Sequence, residues 1–303
     1  MKDPFVIGAC AAAVGLLGVA GCATPPPSPP ATNPVPTVAE GKPAPRTAPP
    51  AGVDEVRWSD ATTPETPAWK LLQKVVEAAG GAAIVDGVRA LQSTGKIQQR
   101  SPLGGFEATL TTTYLYPDTV RRDVVLPSGV SVSTIFTPGR AWISSPLGTF
   151  DLPEEEREKM KASLTRHPLA LLKSRHDRLF RVSAAVSTGP GGERRDVLRI
   201  QAAGQTAEAV LDGEHRMAEV SWEGPGLSAE GGKERIRILY SDFRTIEGLV
   251  YPFRSEVFSG EEGISSFGAD SLKVNEPVPP GLFEPPPPSP VPVPTGTPAA
   301  RSD

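Results

Sequence analysis

The chain has 303 residues, a formal net charge of −4, 35 prolines and two cysteines. That charge balance excludes a nucleic-acid surface, because the short basic runs Arg121-Arg122 and Arg194-Arg195 each sit among acids. The two cysteines, Cys10 and Cys22, cannot build a disulfide framework or a cysteine metal cluster.

Chain order begins with an apolar run, Phe5 to Ala20, that is broken by Gly8, Gly15 and Gly18 and is short of the roughly 20 residues of a spanning helix. With Lys2 ahead of it and Ala20-Gly21 behind, residues 1–21 read as a secretory signal that takes Cys10 with it when cleaved. Val19-Ala20-Gly21-Cys22 resembles the lipobox of bacterial lipoproteins. The resemblance implies a mature chain that starts at a lipidated Cys22 and is held to a membrane by its acyl chains. Ala23, where an aspartate would favour inner-membrane retention, implies the outer membrane, facing the periplasm.

Thirteen prolines fall between Cys22 and Pro67 and eight between Pro285 and Asp303, so residues 22–66 and 285–303 read as disordered flanks. Residues 67–284 remain as one folded domain. It opens with a helix capped by Thr66, with Pro67 in the first turn and Trp69, Leu72, Val75 and Val76 at helical spacing up to Gly80-Gly81. A second helix is expected with Ile84, Val88 and Leu91 on one face and Gly95 closing it. From Lys96 the period becomes two. Phe106, Ala108, Leu110, Thr112, Tyr114 and Tyr116 share one strand face, Val120, Arg122, Val124 and Leu126 the next, and Val130, Val132, Thr134 and Phe136 a third. Turns at Pro117-Asp118, Pro127-Ser128-Gly129 and Pro138-Gly139 join these into an antiparallel meander that continues through Ala141-Trp142-Ile143.

The meander pauses at residues 151–177. Asp151 and Glu154 have capping-box spacing around Pro153, predicting a helix to about Thr165, and a short helix over Leu169 to Ser174 follows Pro168. Strands then resume between glycine turns. The fold class is mainly β (α+β): one large curled antiparallel sheet of about eleven strands, an unclosed half-barrel, with the N-terminal helices and the inserted helix pair on its concave face.

No catalytic, cofactor or metal signature stands out. His167, His176 and His215 have no ligand spacing, and Glu154, Glu155 and Glu156 suit a helix N-terminus. Asp242 and Glu256 could form a hydrolytic dyad, but cross-strand pairing with Arg237 or Arg254 is the simpler account. Few helices for so many strands leave room for an apolar ligand, and strand alternation nominates Phe106, Leu110, Tyr114, Val124, Val132, Phe136 and Trp142 as its lining. Tyr114, Phe136 and Trp142 are expected to stack on one face.

The stretches ALQSTGKIQQ, YLYPDTVRRDVVLPSG, GRAWISSPLGTFDLPEEEREKMKASL, YSDFRTIEGLVYPFRSEVF and VNEPVPPGLFEPP resemble the outer-membrane lipoprotein-sorting proteins. That resemblance implies a LolA/LolB-like fold and a non-enzymatic envelope protein that binds lipoprotein acyl chains or a similar lipid in assembly, sorting or surveillance. Similar domains also occur behind insulinase-type zinc peptidases, whose metal motif is missing from this sequence. The competing expectation is a fully packed structural or interaction module tethered to the outer membrane, with no ligand.

Overall fold

The first helix forms where its cap residue predicts. In the computed structural model, which describes residues 59–60, 65–100, 104–189, 191–225 and 232–285, helix α1 is Pro67–Ala78 and the Thr66 hydroxyl accepts the Trp69 N–H at 3.2 Å. Capping supplies an acceptor for one of the amides that a helix start leaves without a partner. Its buried stripe, Ala68, Leu72, Val75 and Val76, packs on the sheet. The expected signal peptide, Cys22 and nearly all of both proline-rich flanks lie outside the described residues.

Helix α2 is only Ala82–Gly87, and Leu91 and Gly95 belong to a strand instead of to its face and its end. The correction has a steric cause at Gly95, where a Cβ would stand 2.0 Å from the Gly268 carbonyl oxygen of the neighbouring strand. Glycine there permits close strand approach and does not stop a helix. So short a helix needs outside partners for its last carbonyls. Lys173 donates to the carbonyls of Val85, Asp86 and Val88 at 2.9 to 3.2 Å, and the buried Arg175 reaches Asp86 at 2.6 Å.

Among the described residues, fourteen strands form one antiparallel sheet, more than the expected eleven or so. They are β1 (Ser59–Asp60), β2 (Ala90–Gln99), β3 (Phe106–Leu115), β4 (Thr119–Val125), β5 (Ser131–Thr137), β6 (Arg140–Ser145) and β7 (Gly148–Asp151). After the helices come β8 (Arg181–Thr188), β9 (Arg194–Ala202), β10 (Gln205–Leu211), β11 (Met217–Pro225), β12 (Lys233–Ile246), β13 (Leu249–Ser259) and β14 (Glu262–Val274). The spatial order is β1-β8-β9-β10-β11-β12-β13-β14-β2-β3-β4-β5-β6-β7. Two meanders are thus joined where β14 pairs with β2, and β1 and β7 are the outermost strands among the described residues. Ser59–Asp60 pairs with β8, so the sheet takes in residues ahead of the expected domain start at 67.

Between β7 and β8 the chain crosses through helix α3 (Glu154–Thr165), helix α4 (Pro168–Lys173) and a tight turn at Ser174–His176. No capping box forms at α3. Asp151 is the last residue of β7 and its carboxylate is held by Arg140 at 2.5 Å, which leaves Pro153 at the cap position. One apolar cluster takes side chains from α1, α2, α3 and α4 together with strands from β8 at one end of the order to β6 near the other. A flat sheet of that width cannot do this; the sheet curls around the helices without closing.

On the opposite face the segment after β14 meets part of the first meander. Asn275 accepts the Arg89 and Ala90 N–H groups at 2.6 and 3.2 Å and donates to the Gly87 carbonyl at 3.0 Å, turning the chain back across the start of β2. Farther on, the Leu282 carbonyl receives Arg121 at 2.7 Å. Arg121 pairs in register with Ile135, and Ile135 with Trp142, so these three side chains share the outer face. Trp142 is therefore not on the face of Tyr114 and Phe136. Phe136 stands opposite Ala141, and a step of one residue along a strand reverses the side.

Candidate functional site

Cross-strand register defines the helix-facing surface. Leu91, Tyr114, Val120, Phe136 and Ala141 occupy one row across β2 to β6, and Ile97, Ala108 and Phe267 another row farther from the helices. The first row belongs to the main cluster with the helices. The second builds a separate small cluster, Ile97, Ala108, Val124 and Leu126 with Phe106, Leu110, Val130 and Phe267, whose members all come from strands or the turn after β4.

The seven nominated lining residues divide accordingly. Tyr114 and Phe136 are 8% and 3% exposed and pack in the main cluster. Phe106, Leu110 and Val124 lie in the second cluster, and Val132 pairs with Val124 beside it. Trp142 is on the outer face. Between the clusters the helix-facing surface carries Thr112, Arg122 and Thr134 in one row, and Ile238 opposite Val257 and Tyr240 opposite Ser255 on β12 and β13. Ile238, Tyr240 and Val257 are only half-buried, as are Leu110 and Phe267 at the near side of the second cluster, so apolar surface is left available along this stretch.

At the edge of that region three of the chain's four tyrosines, Tyr114, Tyr116 and Tyr251, converge on one histidine, and Tyr240 lies near Tyr114. His167 sits between α3 and α4, its Nδ1 3.1 Å from the Tyr116 hydroxyl and its Nε2 2.9 Å from the Tyr251 hydroxyl. The Tyr114 ring lies 4.6 Å from the imidazole. Burial holds the His167 pKa at about 3 instead of 6.5, with a smaller contribution from the nearby Arg122 guanidinium. A neutral imidazole has one N–H and one lone pair, so one tyrosine donates to it and the other accepts from it. Burial likewise raises the pKa of Tyr116, Tyr240 and Tyr251, so these three and His167 are uncharged near neutrality. His167, Tyr116, Tyr240 and Tyr251 are enclosed by protein and still retain accessible surface, as side chains at the wall of a cleft do.

A cleft of about 600 Å³ opens next to this group, between the helix pair and the turns after β3 and β5, lined by Tyr116, Phe136, Leu164, Ala170 and Lys173 among others. Among the cations near the interior, Lys173 is occupied by the carbonyls of α2. Arg166 lies over the Trp222 ring at 4.8 Å and donates to Gln205 at 2.6 Å, and burial lowers its pKa to about 10.

The remaining titratable groups are accounted for locally. Asp242 pairs with Arg244 at 2.6 Å and Glu256 with Arg254 at 3.2 Å, so each carboxylate has an arginine two residues along its own strand and they form no dyad. His176 lies 3.2 Å from Asp86, and His215 is in a turn with φ of 60°. Among the described residues no cluster has the composition of a metal site. Sequence reading missed the role of His167, Tyr116, Tyr240 and Tyr251, whose partners lie far apart in the chain. It placed Arg122 on its apolar face, which was the available signal.

No family model matches the sequence, and no curated protein matches it. Solved structures do. A DUF1329 family protein from Desulfovibrio piger aligns with a TM-score of 0.51 at 10% identity, over 72% of this chain and 97% of that one. A LolA superfamily protein from Nitrosomonas europaea aligns at 0.47 and 14% identity, over 70% and 96%. A domain from Vibrio parahaemolyticus, provisionally named as outer-membrane lipoprotein sorting, aligns at 0.46 and 9%, over 70% and 97%. The chain thus shares the fold of the Desulfovibrio protein and is similar in structure to LolA superfamily and lipoprotein-sorting domains.

Proposed function

We propose that the protein is a non-enzymatic, lipid-anchored envelope protein whose half-barrel holds an apolar moiety such as the acyl chains of a lipoprotein or lipid. The observation that carries this reading is the helix-facing surface that runs from Ile238 and Val257 into the second cluster, where these two residues and the cluster's own Leu110 and Phe267 remain half-buried in a concave sheet. Concave apolar surface beside a few polar groups is the usual form of a small-molecule site. The LolA-like fold supports an envelope role, and the sequence at Val19 to Cys22 supports anchoring.

Packing of Tyr114 and Phe136 favours the structural-module reading for the helix end of the sheet, so the binding role is confined to the other end. Mass spectrometry of lipids extracted from the purified full chain is the test. Co-purified acyl lipid is expected; a lipid-free protein that also fails to bind a fluorescent fatty acyl probe would overturn the reading. For the anchor, Cys22→Ser is expected to leave the precursor unprocessed or to release the protein from membranes. A variant that still carries acyl chains and resists high salt would refute lipidation at that sulfur.

A further inference from the structure

Arg122 and its sequence neighbour Arg121 face opposite ways with opposite consequences. Arg121, on the outer face, is fully engaged by Asp123 at 2.8 Å, Ser133 at 3.2 Å and the Leu282 carbonyl at 2.7 Å. Arg122 faces the helices, half-buried between Thr112 and Thr134 on the adjacent strands. Among the described residues its guanidinium has no hydrogen-bond or ion-pair partner. The nearest carboxylate along the strand, Asp123, points to the other face and is taken by Arg121 and Ser133.

An arginine stays charged in a protein, and a partly desolvated charge without a counter-ion costs free energy unless something pairs with it. The surrounding groups cannot. His167, Tyr240 and Tyr251 lie near enough to feel the Arg122 charge, and all three are neutral near pH 7. In the direction away from His167, the same strand face continues through Val124 and Leu126, flanked by Leu110, and joins the second cluster. From Arg122 to Leu126 the strand runs about 13 Å, comparable to a medium acyl chain.

We propose that Arg122 receives the anionic oxygen of an amphiphile whose apolar chain lies along Leu110, Val124 and Phe267. This rests on the reading that the half-barrel binds an apolar moiety, and names its class: a chain ending in a carboxylate or phosphate. A guanidinium fork matches such an oxyanion, and hydrogen bonds to charged groups are the stronger kind. The two threonines beside Arg122 keep the immediate surroundings polar, while the apolar surface begins two residues along.

The test compares oleate, oleyl alcohol and inorganic phosphate as ligands of the delipidated full chain, for the wild type, Arg122→Gln and Arg122→Lys. Wild type should bind oleate about tenfold or more tighter than the alcohol, the scale of one charge-assisted contact. Arg122→Gln should lose that preference and keep its alcohol affinity, and Arg122→Lys should keep part of the preference. Equal wild-type affinities for oleate and alcohol would overturn the role of Arg122 while leaving the apolar site standing. Binding of neither would remove both readings. Phosphate binding as tight as oleate would replace the amphiphile with a free anion, and loss of alcohol binding in Arg122→Gln would make the arginine structural. Because the oleate-to-alcohol ratio is read in the wild type alone, a variant that fails to fold does not shelter the proposal.

Discussion

His167 offers a quantitative test of how the interior is built. Its imidazole is neutral and bonded on both nitrogens, with a folded-state pKa of about 3 against 6.5 in a free side chain. Between those two values the unfolded chain binds a proton that the folded protein does not. Stability therefore falls as pH falls through that window, and is fully present above 6.5. From pH 7 to pH 5 the loss is about 2 kcal/mol, from roughly 1.4 kcal/mol per unit of separation. His167→Gln keeps one donor and one acceptor for Tyr116 and Tyr251 but does not titrate. Denaturant unfolding of both proteins at pH 7, 6 and 5 isolates the effect, because the other two histidines are common to both and cancel. The wild type should lose about 2 kcal/mol more than the variant over that range. If the difference between the two stays flat, the imidazole protonates inside the fold and the enclosed tyrosine cluster is wrong.

Two further outcomes follow from packing. Phe136→Ala, at a residue 3% exposed in the main cluster, should cost about 3 to 5 kcal/mol in denaturant unfolding; a loss below about 1 kcal/mol would mean that this end of the sheet is open. Gly95→Ala forces a Cβ to 2.0 Å from Gly268 O and 2.7 Å from Ala269 Cα, so it should abolish or deeply destabilise the β2 to β14 pairing. Recovery of a natively melting Gly95→Ala protein would show that the bulge in β14 can absorb a methyl group.

Signals carried within a few residues match the structure, and pairings between distant elements do not. Thr66, Pro67 and the apolar stripe of α1 carry their own instructions within one helical turn, and strand alternation from Phe106 to Phe136 survives intact. The spacing of Ile84, Val88 and Leu91 extends the second helix too far, because it stays helical while Leu91 is already opposite Tyr114 in the sheet. Asp151 looked like a cap because its attraction to Arg140 is a cross-strand matter that no local window contains. Trp142 falls on the side opposite to the expected one because the hairpin sets Thr137 against Arg140, and every later residue takes its side from that pair. The histidine cluster needed β3, the helix junction and β13 to be brought together in space. Arg122 was legible as an arginine on an apolar face; that it lacks a partner could be known only once the face was assembled.

The join between β14 and β2 also sets an order for folding. Each meander is a series of neighbouring hairpins that can close locally and quickly, but the register Val274 with Leu91 spans nearly the whole folded region. The first meander must therefore exist for most of synthesis with β2 unpaired on one side, and α1 must wait for β8 and β9 before its buried stripe has a surface to meet. A chain stopped short of Val274 would present two exposed strand edges facing each other, the configuration most open to pairing with a second copy. The final strand behaves as a fastener: until it is laid down, the halves are separate sheets, and the concave interior between them does not yet exist.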